Sequence, residues 1–135
     1  MNEEELAQAI RTLEFYRTQL ESFDQQYEFM TMSLREHTRA KETMEGYKAV
    51  SEGTETLIPI GAGSYLFTKA ANPEKAVVGI GADVVIETNM DDAISKIDDR
   101  IKEIEGAMKA LGEKYQEVAN SAQELSAKIQ SAYQR

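Results

Sequence analysis

The sequence contains no cysteine and no tryptophan, and its 135 residues include only one histidine and two prolines. Without cysteine the chain has no disulfide framework, no thiolate metal site and no thiol nucleophile. His37 has no second histidine or cysteine for a metal pair or a catalytic dyad, so we expect it at a helix contact or on the surface. No Gly-x-Ser-x-Gly motif presents a serine nucleophile. The sequence therefore predicts no enzyme, no metal site and no cofactor.

Basic residues are also scarce: 15 Lys and Arg stand against 24 Asp and Glu, for a net charge of -9. Nucleic-acid binding uses clustered basic side chains, which the chain lacks, so we expect no nucleic-acid partner. The N-terminal residues Met1, Asn2, Glu3 and Glu4 are the opposite of a basic signal-peptide start, and no apolar run approaches the roughly 18 residues of a membrane span. These absences favour a soluble, cytoplasmic protein without a membrane partner.

Two patterns suggest a ligand site, and each has a simpler interpretation. Gly61, Ala62 and Gly63 resemble part of a phosphate-binding loop, but no further glycine completes Gly-x-Gly-x-x-Gly and no Gly-Lys-Ser/Thr follows. A hairpin turn accounts for them better. Acidic residues near position 100 could be drawn as a metal site, but helical spacing distributes them over a solvated face. They are Asp91, Asp92, Asp98, Asp99, Glu103 and Glu105.

Apolar residues in the last third of the chain keep an unbroken 4,3 spacing. A mean period of 3.5 residues holds an apolar seam in register with a neighbouring helix only in a left-handed coiled coil. At about 1.5 Å per residue this helix would extend roughly 65 Å, which favours a mechanical or binding role over catalysis. The thirteen seam positions are Met90, Ile94, Ile97, Ile101, Ile104, Met108, Leu111, Tyr115, Val118, Ala122, Leu125, Ile129 and Ala132.

The N-terminal segment has the same periodicity and predicts a second coiled-coil helix over residues 1–53. Its seam weakens where the register passes through His37 and Lys41. The apolar positions before that point are Leu6, Ala9, Leu13, Tyr16, Leu20, Phe23, Tyr27, Met30 and Leu34, and those after it are Met44, Tyr47 and Val50.

Start and stop signals flank both helices. Asn2 is placed to cap the first helix, and Glu5 lies where a capping-box side chain can reach back to the cap amide. Gly53 is placed to end this helix. Asn89 is placed to cap the second helix, which we expect over residues 89–135.

Residues 54–88 have a different composition, rich in Val, Ile, Gly and aromatic residues. The tripeptide Ile-Gly-Ala occurs at residue 60 and again at residue 80, which favours two hairpins with glycine-containing turns. Pro59 cannot donate a ladder hydrogen bond, so we expect its strand to lie at an edge or to be irregular there. The predicted strands are 56–60, 64–68, 76–80 and 83–87, with a polar turn at 71–74 between the hairpins.

These strands are apolar on both faces, so both faces should be covered. Two small hairpins cannot cover themselves, and their open edges invite further pairing. We expect the hairpins of several subunits, including a second copy of this chain, to join into a closed or semi-closed β body. The residues expected in this contact are Leu57, Ile58, Ile60, Tyr65, Leu66, Phe67, Val77, Val78, Ile80, Val84, Val85 and Ile86.

The two helices have nearly equal length and flank a short insert, so the simplest arrangement pairs them antiparallel with both termini at the far end. The expected fold class is α+β, a long antiparallel coiled-coil helical hairpin with two central β-hairpins. In the oligomer those β-hairpins would build a β-barrel-like body.

This layout resembles the α-class subunit of prefoldin, and the resemblance covers nearly the full chain, 1–135. Its most specific parts are LIPIGAG at 57–63, NPEK at 72–75, VVGIGA at 77–82 and VVIE at 84–87. The resemblance implies a jellyfish-shaped hexamer of two such subunits with four shorter β-class subunits that carry one hairpin each. It also implies coiled-coil arms that hold unfolded client proteins for a group II chaperonin.

The far ends of the two helices are candidates for client binding. Ile10 lies one step off the strict register and widens the apolar stripe beyond what a two-helix seam needs. Helix ends with few tertiary contacts open easily and could offer apolar side chains to a client. The candidate tip residues are Leu6, Ile10, Leu13, Leu125, Ile129 and Tyr133; the alternative is that they only complete the coiled coil.

We therefore expect an ATP-independent chaperone subunit that holds non-native proteins through many weak apolar contacts. Several arms on one body would raise the effective concentration of the remaining tips once one tip has bound. The alternative is a coiled-coil scaffold or adaptor that holds specific folded partners. Delayed aggregation of unrelated denatured proteins would favour the chaperone, and capture of one or two native proteins would favour the adaptor.

Overall fold

The computed structural model describes residues 1–134, in which two long helices flank four strands. The elements are α1 Glu3–Lys48, β1 Glu55–Gly61, β2 Ser64–Lys69, β3 Lys75–Gly81, β4 Val84–Asn89 and α2 Met90–Tyr133. The predicted α+β class, with two antiparallel hairpins between two helices, is confirmed. The chain divides into two units. Unit 1 combines Met1–Leu34 with the chain from Glu103 onward, and unit 2 is Arg35–Lys102.

Both helices begin at an asparagine cap, as predicted. The Glu5 backbone N–H donates to Asn2 Oδ1 over 2.8 Å, and the Asp92 N–H donates to Asn89 Oδ1 over 2.8 Å. In each case the side-chain amide of the asparagine also donates to the carboxylate three residues on, Glu5 or Asp92. Glu5 therefore contacts the cap residue's side chain, where we expected it to reach the backbone amide. Acidic groups in the first turn also suit the positive end of the helix dipole.

Helix α1 ends at Lys48, five residues before the predicted stop at Gly53. The backbone amides of Ala49 and Val50 donate to carbonyls three residues back, the tighter hydrogen-bond pattern of a 3₁₀ turn, which is common at the end of an α-helix. Gly53 instead lies in the turn that leads to the first hairpin and has φ +85°. Its N–H donates to the Ala70 carbonyl over 2.7 Å, so this glycine starts the β region.

The predicted seam of α2 is covered along its whole length. All thirteen seam positions are buried or half-buried, and the most enclosed are Met90, Ile97, Ile101, Leu111 and Ile129. The seam of α1 is covered likewise, with one correction: the Tyr27 side chain is 47% exposed.

Within each unit the two helices pack antiparallel. In unit 1, Ala9 and Tyr16 near the start of α1 line one groove with Leu125 near the end of α2. In unit 2, Lys41 bonds to Asp98 and Lys48 bonds to Asp91. The second pair lies seven residues further along α1 and seven residues back along α2, as an antiparallel heptad register requires.

Each hairpin is a two-stranded antiparallel sheet with the same irregularity next to its turn. In hairpin 1 (β1 and β2) the partners change from Pro59 with Tyr65 to Gly61 with Ser64, which leaves residue 60 as a bulge. Hairpin 2 (β3 and β4) has the same bulge at residue 80, although no proline is near it. The irregularity predicted at Pro59 is confirmed, but the proline is not its cause; both bulges accompany the turn.

Both turns contain two residues with positive φ at their centre, the pattern of type I′ hairpin turns. In hairpin 1 these are Ala62 at 51° and Gly63 at 68°; in hairpin 2 they are Ala82 at 50° and Asp83 at 61°. The fourth strand therefore begins at Val84, one residue after the predicted start at residue 83, because Asp83 is part of the turn.

Candidate interaction surfaces

The hairpins expose most of the apolar side chains that the sequence assigned to an oligomer contact. Of the twelve predicted residues, ten have between 49% and 76% of their surface accessible. Phe67 is the most open at 76%, and Val77 and Val85 follow at 62%. The others in this group are Leu57, Ile58, Ile60, Tyr65, Leu66, Ile80 and Val84. We call these ten residues the hairpin surface.

The two remaining predicted residues behave differently. Val78 is only 5% exposed and Ile86 is half-buried, and the two are direct partners across hairpin 2. Val78 is therefore packed inside its own chain, which leaves little of its surface for the predicted oligomer contact. It lines an open groove of about 240 Å³ together with His37, Ala40 and Ile97 of the helices.

One face of hairpin 2 is thus covered by the helices of unit 2, whereas the same face of hairpin 1 is not. Ile58 and Leu66 occupy in hairpin 1 the paired positions that Val78 and Ile86 occupy in hairpin 2, and both are about half exposed. Hairpin 1 therefore presents apolar groups on both faces. The exception is at its base, where the hydroxyl groups of Thr56 and Thr68 lie 2.7 Å apart.

Arg100 of α2 fastens hairpin 2 to the helices. Its guanidinium donates to the carbonyl oxygen of Gly79 over 2.7 Å, beside the bulge of β3. Met90 adds a second tie, because its N–H donates to the Glu74 carbonyl over 2.7 Å where β4 passes into α2. Together with buried Val78, these bonds explain why the hairpins differ although their sequences repeat.

A charged pair occupies the point where the α1 seam weakens. Lys41 Nζ lies 2.7 Å from Asp98 Oδ1, and Lys102 approaches the other carboxylate oxygen at 3.2 Å. The side chains of Lys41 and Asp98 are 31% and 29% exposed. The hydrogen bond to Asp98 raises the pKa of Lys41, and hydrogen bonds from Lys41 and then Lys102 lower the pKa of Asp98. A single polar pair in a coiled-coil seam fixes the register of the helices.

The predicted tip residues lie together in unit 1 but differ in exposure. Leu6, Ile10, Leu13 and Leu125 are half-buried, and Ile129 is buried with 8% of its surface accessible. Tyr133 is 68% exposed. Met1 was not among the predicted residues, but it is 55% exposed and lines a groove with Ala127 and Ala132.

Three further exposed apolar residues of unit 1 are not predicted by the seam pattern. Phe15 is 60% exposed, Phe29 is 73% exposed and Met32 is 64% exposed. They lie off the seam, and a search for seam positions passes over them. The available signal was their spacing, since Phe15 and Phe29 occupy the same heptad position two heptads apart.

Membrane-spanning helices and metal-binding clusters are absent from the part of the chain that the structure describes. Neither of its helices has an apolar stretch of the length and purity needed to cross a membrane. Over residues 1–134, no three acidic or histidine side chains converge closely enough to hold a metal ion.

Comparison with known proteins decides the family of this chain. A family model described as "Prefoldin subunit" matches residues 16–135. The chain belongs to the prefoldin family. Prefoldin subunits are chaperone subunits, and the match covers both hairpins and all of α2.

Several curated relatives of this prefoldin-family chain are α subunits. It is 34% identical to prefoldin subunit alpha of Methanoculleus marisnigri over 131 residues, which cover 92% of this chain and 85% of that one. It is 35% identical to the alpha subunit of Methanococcus maripaludis over 102 residues, 76% of this chain and 69% of the relative. With the alpha subunit of Nitrosopumilus maritimus, 31% identity extends over 99% of this chain and 92% of the relative.

Solved structures share the fold. A chain of filamentous prefoldin from Methanocaldococcus jannaschii superposes with a TM-score of 0.74 at 22% identity, covering 90% of this chain and 98% of that one. The prefoldin beta subunit from Thermococcus strain KS-1 gives a TM-score of 0.64 at 20% identity, covering 95% and 91%.

Proposed function

We propose that this chain is the α-type subunit of an ATP-independent holdase. In this proposal its hairpins join a second copy and four shorter, single-hairpin β-type subunits in a hexamer. The free ends of its helices hold non-native proteins, which the assembly passes to a group II chaperonin. The observation that carries the proposal is the hairpin surface, ten large apolar side chains left open by a chain of the prefoldin family.

The hairpin surface supports assembly for an energetic reason. A two-stranded hairpin is at best marginally stable in water, and it needs a further strand or a packed face. Burying one large apolar side chain stabilises by about 1.5–3 kcal/mol, so covering even half of the ten gives a large driving force. Both hairpins have two free edges, but only hairpin 1 is open on both faces, so it offers the more extensive contact.

The ends of the helices in unit 1 support client binding in a different way. Tyr133 and Met1 are open already, whereas Leu6, Ile10 and Leu125 become available only when the helix ends separate. Each contact would be weak, about 1–2 kcal/mol for a partly buried aliphatic group. Several arms on one assembly multiply such contacts without a sequence-specific pocket.

Removing the arm ends tests the proposal. A variant that lacks residues 1–10 and 126–135 should retain the assembled mass, because the hairpin surface is untouched, and should no longer suppress aggregation of chemically denatured proteins. A full-length Tyr133→Gln variant, which changes an exposed side chain, should show a partial loss. Full suppression by the truncated assembly would count against client binding at the tips.

Two further measurements separate this function from the adaptor alternative and test the final step. A holdase should delay aggregation of several unrelated denatured proteins to a similar degree, whereas an adaptor should protect none of them. Transfer should appear as the movement of a labelled client from the assembly to a group II chaperonin. Retention of the client after chaperonin addition would contradict the delivery step, which rests on family membership.

A further inference from the structure

The outer side of α1 in unit 1 carries apolar residues that the seam does not use. Phe15, Phe29 and Met32 are 60%, 73% and 64% exposed, and we call them the outer stripe. Phe29 and Met32 are three residues apart and so adjoin on the helix surface, forming its broadest part. Phe15 lies 14 residues before Phe29, a separation of roughly 21 Å along a helix.

Carboxylates recur every seven residues beside the outer stripe. Glu14, Glu21 and Glu28 are exposed, and two of them directly precede Phe15 and Phe29. No salt bridge among residues 1–134 neutralises these three carboxylates. Over residues 1–34 the sequence has seven acidic residues and only two basic ones, and one of the two, Arg11, donates to Gln8.

We propose that the outer stripe binds one kind of segment in non-native proteins: an extended stretch with apolar residues at both ends and Lys or Arg between them. The length follows from geometry, because roughly 21 Å corresponds to about six or seven residues of extended chain. The sign of the charge follows from the unpaired carboxylates, which attract cationic segments and repel acidic ones. This inference rests on the proposed holdase function and adds a client preference to it.

The stripe differs from the tips in its geometry and therefore in its selectivity. The tip residues are mostly half-buried between two helices, and they become available when the helix ends separate. Phe29 and Met32 are open without any rearrangement. A segment bound there would pack against both apolar sites and would also be attracted by the carboxylates. Salt at about 0.1 M screens that attraction at distances beyond about 10 Å.

The probe is a fluorescent peptide of about ten residues with a leucine near each end and lysines between, compared with a peptide in which glutamates replace the lysines. Fluorescence anisotropy measures binding of each to the full-length chain at low and high salt. The chain should bind the lysine peptide at least about tenfold more tightly at low salt, and the difference should shrink at high salt.

Two variants test separately the apolar and the electrostatic contributions to peptide binding. Phe29→Gln with Met32→Gln changes only exposed side chains and should weaken binding of the lysine peptide about tenfold. Glu14→Gln, Glu21→Gln and Glu28→Gln together should bring the two peptides within about twofold of each other. The matched control makes the same charge change on exposed residues of α2, Glu105→Gln, Glu113→Gln and Glu117→Gln, and should keep the preference.

Equal affinity for the two peptides overturns the proposal, as does unchanged binding by the variant with Phe29→Gln and Met32→Gln. A change in assembly mass in that variant also overturns it, because the stripe would then be a contact between subunits. Aggregation of a chemically denatured protein is followed in parallel. If the chain suppresses aggregation but shows no peptide preference, the outer-stripe proposal is wrong and the holdase proposal stands. If the chain does not suppress aggregation, the holdase proposal itself is wrong.

Discussion

At the scale of single residues, the least expected feature is a charged pair in an apolar seam. Lys41 interrupts the predicted seam of α1, where the sequence alone indicates only a weak point. The structure gives it a partner, Asp98, on the turn of α2 that also carries buried Ile97 and Ile101. A shift of the helices by one turn would separate Lys41 from Asp98 and leave both charges without these partners, so the pair favours the observed register.

This pair makes a prediction about pH. The pKa of Asp98 is lowered in the folded chain, so its stabilisation is present above the ordinary carboxyl pKa of 3.8 and is lost as the pH falls through the lower, folded-state value. Asp98→Asn should therefore lower the free energy of unfolding at neutral pH, and the difference from wild type should close in acid. Thermal unfolding at a series of pH values measures it.

The control is the neighbouring residue. Asp99→Asn makes the same charge change at an exposed position and should leave stability nearly unchanged across the same pH range. Equal losses in the two variants would mean that the Lys41 contact has no specific effect.

At the scale of secondary-structure elements, local signals in the sequence predicted most of what forms. Asparagine caps, the heptad period and glycine turns are local, so helix starts and strand positions agree within one or two residues. The end of α1 was missed because Gly53 resembles a helix stop, whereas the chain had already left the helix at Lys48. The strand start at residue 83 was missed because Asp83 adopts positive φ in the turn.

Tertiary contacts were less accessible from the sequence. The two hairpins repeat at a distance of 20 residues, and the repeat predicted equal roles for them. Only the structure shows that Val78 is covered and Ile58 is open, because the difference depends on Arg100 and Ile97 of a distant helix. The exposed Phe29 was missed for a related reason: a heptad search finds only the seam.

Adjacent valines of β3 test the distinct faces of hairpin 2. Val78→Ala removes a buried side chain and should cost about 2 kcal/mol of unfolding free energy while the contacts between subunits stay in place. Val77→Ala changes a side chain that is 62% exposed in the single chain, so it should weaken assembly and should affect unfolding only through that loss of assembly. Urea unfolding measures the change in stability, and light scattering measures the change in assembly. The reverse outcome, with Val77 setting stability and Val78 setting assembly, would contradict the assignment of the faces.

At the scale of the whole molecule, the chain combines strong negative charge with an uncovered apolar surface. A net charge of -9 favours solubility, but charge does not remove the cost of exposing ten large apolar side chains in the hairpins. Membership of the prefoldin family and the hairpin surface both support the proposal that the hairpins pack against other subunits.

The most direct test of that conclusion is the molar mass of the chain by light scattering over a dilution series, with β content followed by circular dichroism. We predict a mass above the 15.1 kDa of one chain, a further increase with a single-hairpin partner, and loss of β signal when dilution yields monomers. A stable 15.1 kDa species that keeps its full β signal at every concentration and ignores the partner would contradict the account.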